Sequence, residues 1–195
     1  MISFFSKIFV KYIVWDFDGT LYQNEKLGID IKQFFYNKCQ SKLTIKEFDE
    51  LTTSYGSWSS ATSSITNISE VDLMDECDKT INKSLYLQPD KQITNLVENK
   101  LSRYKHIILT NSTTTEVTLC LSKIGFKPST FTKIFGRDTT QLLKPNTEIY
   151  TQITSYTKTP RFRHLFIGDS IGHDINPPRR LGFLALPIWE INQLS

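Results

Sequence analysis

Residues 12–20 read Tyr-Ile-Val-Trp-Asp-Phe-Asp-Gly-Thr, an apolar run that ends in two carboxylates. The apolar part has the length and composition of a buried β-strand, and Gly19 permits a sharp turn out of it. Asp16 and Asp18 are expected to face one side at the end of this strand, where they repel each other unless a cation or an acid/base task uses them. The alternative is a simple turn, because Asp and Gly are turn residues in any case.

Further short apolar runs follow along the chain, and helical patterns lie between them. Strands are predicted at 106–109, 133–135, 164–167 and 183–188, and helices at 90–103, 113–123 and 147–154. Alternation of strands and helices favours a parallel sheet that is covered by helices on both faces.

The long segment between the first two strands contains no strand pattern. Apolar residues recur there at helical spacing, as in the series Met74, Cys77, Ile81 and Leu85. The Ser/Thr-rich stretch 52–69 interrupts these patterns and is predicted to be a loop or a broken helix. We expect a small helical insertion, and the alternative is a set of ordinary core helices.

The composition is that of a folded protein with one domain, or with one core and a small insertion. Of the 195 residues, 39% are hydrophobic and 22% are charged, and the sequence lacks the roughly 18 uninterrupted apolar residues of a membrane span. The 23 basic and 20 acidic residues give a net charge of +3 and form no long basic run. No nucleic-acid polymer and no membrane are therefore expected as partners.

The start of the chain and its cysteines indicate a cytoplasmic protein. Polar residues interrupt the apolar stretch 1–10, and no small-residue cleavage site follows it, so a signal peptide is not expected. Cys39, Cys77 and Cys120 are odd in number and widely spaced, which is typical of reduced thiols and not of a disulfide or zinc framework.

Polar residues also follow the second predicted strand. Thr110, Asn111 and Ser112 come directly after it, and Thr113 with Glu116 forms a capping-box pattern that predicts a helix start. A strand that delivers hydroxyl and amide groups to a helix amino terminus forms a natural phosphate cradle.

Two more positions carry charged groups that could serve a function. Lys144 precedes Pro145, which suits the first turn of the next helix, although a lone lysine is usually a solvated surface residue. Asp169 ends the fourth strand and Asp174 follows it. Hard cations such as Mg²⁺ prefer carboxylates and water, so Asp16 and Asp169 on neighbouring strands would supply such a site. A helix cap is the alternative role for Asp169.

The ordered set of four motifs resembles the haloacid dehalogenase-like hydrolase superfamily. The motifs are Asp16-Phe17-Asp18-Gly19-Thr20, Leu109-Thr110-Asn111-Ser112, Lys144-Pro145 and Gly168-Asp169-Ser170 with Asp174. The resemblance implies a Rossmann-like α/β core of residues 1–21 and 86–195, with an inserted α-helical cap at 22–85. It also implies that the strand bearing Asp169 lies beside the strand bearing Asp16, with the Thr110 strand on the other side.

The resemblance assigns a role to each matching position. Asp16 corresponds to the nucleophile that forms an aspartyl-phosphate, and Asp18 to the general acid/base. Thr110 and Asn111 correspond to the phosphate-binding position, and Lys144 to the cation that holds the nucleophile and the phosphoryl group together.

The remaining matches concern Mg²⁺, the cofactor that the resemblance implies. Asp169 corresponds to a carboxylate ligand beside Asp16 and the backbone carbonyl of Asp18. Asp174 corresponds to an accessory acidic position that binds the metal directly, through water or by way of another ligand.

These roles predict a magnesium-dependent phosphatase for small phosphate monoesters. Asp18 argues against carbon–halogen cleavage, because the dehalogenase branch lacks the second carboxylate. A sugar phosphomutase and a binding module without turnover remain alternatives.

The substrate class stays open among nucleotides, sugar phosphates and phosphoglycolate. Thr20-Leu21-Tyr22 and Tyr55-Gly56 loosely resemble the pyrimidine 5′-nucleotidase branch, where Tyr55 or Trp58 would stack on a base. Arg179-Arg180 is expected to be solvated.

Overall fold

The structure, a computed structural model, describes residues 9–193. The expectation that no signal peptide starts the chain rests mainly on residues 1–8, which lie outside the described residues. Within the described part, no helix is long and apolar enough to cross a membrane.

A five-stranded sheet forms the centre of the larger of two compact units. Its strands are β1 (Tyr12–Trp15), β2 (Lys105–Leu109), β3 (Phe131–Phe135), β4 (His164–Gly168) and β5 (Leu184–Pro187). All neighbours pair in parallel, and the order is β3-β2-β1-β4-β5. The chain therefore builds outward from β1 on one side and then on the other, which confirms the predicted reversal around the first strand.

Both faces of the sheet are buried, because alternate residues of each strand point to opposite sides. On β1, Ile13 and Trp15 pack into one apolar cluster, and Val14 packs into the other. This arrangement explains why the strands read as nearly continuous apolar runs, as fully covered parallel strands do. The α/β, Rossmann-like fold class predicted from the sequence is confirmed.

Helices and single turns connect the strands of this unit. Among the described residues they are α5 (Lys91–Asn95), a π-turn at Leu96–Lys100, α6 (Thr114–Ile124), α7 (Arg137–Thr140), α8 (Thr147–Thr157), a 3-10 turn at Arg161–Arg163, a π-turn at Ile171–Ile175, α9 (Asn176–Arg180) and a 3-10 turn at Ile188–Gln193. The predicted helix at 90–103 is thus shorter and ends in a π-turn.

The second unit is Asn24–Tyr86, and the first resumes at Leu87. The helices of the second unit are α1 (Glu25–Cys39), α2 (Ile45–Tyr55), α3 (Trp58–Thr66) and α4 (Glu70–Thr80), followed by a 3-10 turn at Lys83–Tyr86. They enclose an apolar cluster of their own, which includes Phe35, Phe48 and Leu73.

The Ser/Thr-rich stretch 52–69 is a broken helix, which is one of the two predicted outcomes, because α2 ends at Tyr55 and α3 begins at Trp58. Ser57 caps the amino terminus of α3, and Ala61 is fully buried in the cluster. One prediction about this segment needs correction. The helical series that joins Leu85 to Met74 is wrong, because α4 ends at Thr80 and Leu85 is 79% exposed.

Candidate active site

The carboxyl ends of β1 and β4 bring a buried ion cluster together. Lys144 Nζ lies 2.6 Å from Asp16 Oδ1 and 2.6 Å from Asp174 Oδ1, and all three residues are buried. The other oxygen of Asp16 accepts a hydrogen bond from Thr20 Oγ at 2.9 Å. Both oxygens of Asp16 are thereby fixed, which orients the carboxylate at the point where the strand order reverses, the usual ligand position in such sheets.

Two glycines make room for this cluster. A Cβ atom on Gly168 would lie 2.3 Å from Cβ of Asp174, so only glycine lets Asp174 fold back over the end of β4. Gly19 adopts a φ of +80°, and a Cβ there would lie 2.3 Å from Asp169 Oδ2. Glycine tolerates this left-handed conformation, and the close approach of Asp169 requires it as well.

The carboxylate of Asp18 accepts hydrogen bonds from two hydroxyl groups. Tyr22 donates to its Oδ1 at 2.5 Å, and Ser112 donates to its Oδ2 at 2.6 Å. Asp16 and Asp18 are thus each held by different hydroxyl donors.

Asn111 pairs with the backbone of Lys144 in both directions. Its Oδ1 accepts from the Lys144 N–H at 2.7 Å, and its Nδ2 donates to the Lys144 carbonyl at 3.1 Å. The amide side chain therefore fixes the loop that carries Lys144. Pro145 is not in the first turn of the next helix as expected, because α8 begins at Thr147 and is capped by Asn146.

The loop after β2 is supported by the first residue of α7, the helix that follows β3. Arg137, which is buried, donates from Nη1 to the Asn111 carbonyl at 3.0 Å, and its backbone N–H donates to the Ser112 carbonyl at 3.1 Å. Thr110 is buried, and its Oγ accepts from the Ser112 N–H at 3.0 Å. These bonds set the backbone of the predicted phosphate-binding loop.

Charges in the cluster are strongly coupled. Burial raises the pKa of Asp16, and repulsion by Asp174 and Asp169 adds to the rise, whereas Lys144 opposes it. The pKa of Lys144 is raised although burial lowers it, because Asp16 and Asp174 favour the ammonium form. Lys144 is therefore held as a cation among more carboxylates than one ammonium group balances.

Asp169 completes this group from the solvent side. Partial burial of its carboxyl group and repulsion by Asp174 raise its pKa to about 6. The residue as a whole is exposed. A carboxylate at this position is accessible from solvent.

The donor set fits Mg²⁺. Asp16, Asp169 and Asp174 each offer an oxygen, and these atoms lie within 4.8 Å of one another. Hard carboxylate oxygens are the ligands that Mg²⁺ prefers, and a divalent cation would offset the excess negative charge beside Lys144. The side chain of Asp18 is not in this group, since it is engaged with Tyr22 and Ser112.

Together, the fold and the site define a Rossmann-like α/β protein with a carboxylate and lysine cluster at the switch point of its sheet and a helical unit inserted after the first strand. The chain belongs to the haloacid dehalogenase-like hydrolase family, whose model matches residues 13–185. The resemblance drawn from the four motifs is confirmed.

Solved structures share this fold. CbbY from Rhodobacter sphaeroides, solved as a mutant in complex with xylulose-(1,5)bisphosphate, has a TM-score of 0.68 at 17% identity, covering 91% of this chain and 85% of that chain. L-2-haloacid dehalogenase from Xanthobacter autotrophicus has a TM-score of 0.58 at 18% identity, covering 90% and 76%.

A third similar structure contains magnesium. The putative hydrolase YfnB from Bacillus subtilis, bound to magnesium, has a TM-score of 0.57 at 18% identity, covering 90% of this chain and 85% of that chain. A comparison with curated proteins found no match.

The sequence predicted no role for Arg137 and none of the contacts that Thr20, Tyr22 and Ser112 make with the carboxylates of Asp16 and Asp18. Thr20 and Tyr22 each follow the carboxylate that they contact by four positions, a spacing that a turn after the strand brings together. Ser112 and Arg137 contact residues distant in sequence, and their positions depend on the sheet order.

Proposed function

We propose that this hydrolase is a Mg²⁺-dependent phosphatase that cleaves small phosphate monoesters through an aspartyl-phosphate on Asp16. The observation that carries the proposal is the ammonium group of Lys144 placed 2.6 Å from both Asp16 and Asp174. A carboxylate is a poor nucleophile toward a dianionic phosphate, and a fixed cation beside it removes much of the repulsion.

In the first step, an oxygen of Asp16 forms a bond to phosphorus while the bond from phosphorus to the leaving oxygen breaks. Asp18, protonated for this step, gives its proton to the leaving alkoxide. Thr20 keeps the Asp16 carboxylate in one orientation throughout. Because the transition state for phosphoryl transfer is loose, positioning and electrostatics supply most of the rate enhancement.

In the second step, Asp18 takes a proton from water, whose oxygen attacks the phosphorus of the aspartyl-phosphate. The bond between phosphorus and Asp16 breaks, and inorganic phosphate leaves. Lys144 balances the negative charge on the phosphoryl oxygens, and the hydroxyl group of Thr110 and the backbone N–H of Asn111 would donate hydrogen bonds to them. Asp16, Asp169 and Asp174, with the carbonyl of Asp18, would hold Mg²⁺, which supplies additional charge neutralisation as a Lewis acid.

Asp18 is the basis for favouring phosphate monoesters over haloacids. A leaving alkoxide needs a proton, whereas a leaving halide does not, so a second carboxylate in the site serves the first reaction only. The likeness to CbbY, crystallised with a sugar bisphosphate and with phosphate, supports the same choice.

The substrate is proposed to be a small phosphorylated metabolite of the nucleotide, sugar phosphate or phosphoglycolate class. Of the two aromatic residues considered for base stacking, Trp58 packs against the apolar cluster of its own unit, whereas Tyr55 is 49% exposed. Packing against this cluster explains the presence of Trp58 without a role in base stacking.

The test is release of inorganic phosphate from a panel of these monoesters and an aryl phosphate, with Mg²⁺ and with a chelator. We expect Mg²⁺-dependent release that Asp16→Asn abolishes. The matched control is Glu148→Gln, which removes an exposed carboxylate from the first turn of α8 and should leave the rate unchanged.

A parallel arm measures halide release from 2-chloropropionate. A wild-type protein that is folded by circular dichroism, yet releases no phosphate from any substrate, would contradict the proposal. Halide release without phosphate release would reassign the chain to the dehalogenase reaction.

A further inference from the structure

Basic residues are unevenly divided between the two units of the chain. The unit that contains the sheet carries 16 basic and 10 acidic residues, whereas Asn24–Tyr86 carries 7 basic and 10 acidic residues. The modest net charge of +3 thus conceals a strongly positive sheet unit, several of whose carboxylates are already in the candidate active site.

The positive charge gathers at the amino ends of the strands, opposite the candidate active site. We call this surface the basic edge, and its members are Lys11, Lys105, Arg161, Arg163, Arg179 and Arg180. The catalytic carboxylates lie at the carboxyl ends of the same strands, and a strand of five residues separates the two ends by roughly 15 Å.

Backbone pairing shows that these residues are neighbours. The Lys11 N–H donates to the Arg163 carbonyl at 2.9 Å, and the Lys105 N–H donates to the Lys11 carbonyl at 3.0 Å. Lys11 and Arg163 therefore stand side by side at the starts of β1 and β4, one strand spacing of about 5 Å apart. Lys105 is in register with Tyr12, so its backbone lies at the same end of the sheet while its side chain points to the opposite face.

The row continues toward β5. Arg161 Nη1 donates to the Leu181 carbonyl at 2.7 Å, which ties it to the segment that follows Arg180. Arg179 is not simply solvated as expected, because its guanidinium donates to the Ala185 carbonyl at 2.8 Å from Nη2 and at 3.2 Å from Nε. Both contacts are to neutral carbonyl groups, which leave the positive charges uncompensated.

No carboxylate within residues 9–193 forms an ion pair with any member of the basic edge. All of these side chains are exposed except that of Arg163, which is half-buried. Like charges in a row repel one another, so an unpaired row of this kind is stabilised when an anionic partner binds.

Large apolar side chains accompany these charges. Phe162, between Arg161 and Arg163, is 50% exposed, and Phe9, two residues before Lys11, is 47% exposed. Arms that bind nucleic acid are dominated by basic residues, whereas segments that bind membrane surfaces combine basic residues with Phe, Leu and Trp.

From this combination we infer that the basic edge is a docking surface for an anionic lipid membrane, which departs from the expectation, drawn from the absence of a long basic run in the sequence, that no membrane is a partner. Its basic side chains would lie against acidic headgroups, and Phe9 and Phe162 would enter the boundary between headgroups and acyl chains. Each basic side chain near such a surface changes the partition coefficient by roughly fivefold. The carboxyl ends of the strands would then face away from the membrane.

The test is cosedimentation of the full chain with vesicles of phosphatidylcholine, with and without phosphatidylserine. The edge variant is Lys11→Gln/Lys105→Gln/Arg180→Gln. The matched control is Lys26→Gln/Lys46→Gln/Lys79→Gln, which removes the same charge from exposed positions of the other unit. Neither triple touches the candidate active site, and circular dichroism checks that both fold.

We expect binding only to vesicles with phosphatidylserine, weakened roughly a hundredfold in the edge variant and unchanged in the control. Phe162→Ser should release the protein at a lower salt concentration than wild type requires. If both triple variants lost vesicle binding equally, net charge alone would explain the binding, and the inference would be overturned. It would also be overturned by absence of vesicle binding, or by single-stranded RNA that binds through the same three residues while vesicles do not.

Discussion

Replacing His106 by Asn should remove a pH-dependent loss of stability that the core of the sheet unit carries. His106 is 5% exposed on β2, and its Nδ1 accepts a hydrogen bond from Trp15 Nε1 at 3.0 Å. The neutral ring therefore has its proton on Nε2, which makes no hydrogen bond among the residues that the structure describes. Asn at this position keeps an acceptor for Trp15 but cannot gain a proton.

The magnitude follows from the pKa of the imidazole. Burial lowers the pKa of His106 to about 4, against a smaller opposing influence of the Leu101 and Val97 carbonyls. In the unfolded chain the pKa is about 6.5, so the unfolded state binds a proton first as the pH falls. Above about pH 6.5, His106 does not reduce the free energy of unfolding. At about pH 5 it reduces the free energy of unfolding by about 2 kcal/mol, and below about pH 4 the reduction levels off at about 3 kcal/mol.

Urea unfolding followed by circular dichroism at several pH values measures this loss in wild type and in His106→Asn. Titrating carboxylates affect both proteins equally, so the difference between the two free energies of unfolding isolates His106. The variant should lose about 3 kcal/mol less than wild type between about pH 7 and pH 4. A difference in the free energy of unfolding between wild type and His106→Asn that stays constant across this pH range would refute the reasoning. So would an imidazole of His106 that titrates near pH 6.5 by NMR in the folded protein.

Two further substitutions probe the site. Gly168→Ala places a methyl group against Asp174 and should weaken Mg²⁺ binding by at least tenfold in calorimetric titration. The control Gly172→Ala, with nothing within 4 Å of its new Cβ, should bind Mg²⁺ as wild type does. Equal Mg²⁺ affinities of the two variants would show that Asp174 is no ligand. Tyr22→Phe removes a donor to Asp18 and should slow hydrolysis of alkyl phosphates more than that of dinitrophenyl phosphate, whose leaving group needs no proton. A uniform rate loss for both substrates would indicate a purely structural role.

The strands could be predicted from the sequence, because buried parallel strands appear as short apolar runs. The order of the strands around β1 was predicted only from the family resemblance. Every predicted strand is present, with ends displaced by one or two residues. For residues 52–69 the sequence predicted a loop or a broken helix without deciding between them, since Ser and Thr have low helix propensity. The structure has a broken helix there, whose second part is Trp58–Thr66. It depends on a contact distant in sequence, in which Ser57, Ser59 and Ser60 donate to one oxygen of Glu70.

In the candidate site, too, some contacts could not be predicted from the sequence. The motifs identified Asp16, Lys144 and Asp174, and the structure brings these three together. The amide of Asn111 was expected at the phosphate, whereas its side chain pairs with the backbone of Lys144. Which part of a residue faces a ligand depends on loop geometry that a single sequence does not contain.

The insertion of a whole helical unit directly after β1 affects how the chain is made. Tyr12 leaves the ribosome before its partners in the sheet, Lys105 and His164, so closing these contacts spans a long loop with a high entropic cost. Asn24–Tyr86 contains its own apolar cluster and can become compact while β1 is still unpaired. While β1 lacks its partner strands, its exposed apolar residues can cause aggregation. Newly made chains should therefore depend on chaperones until β4 is synthesised.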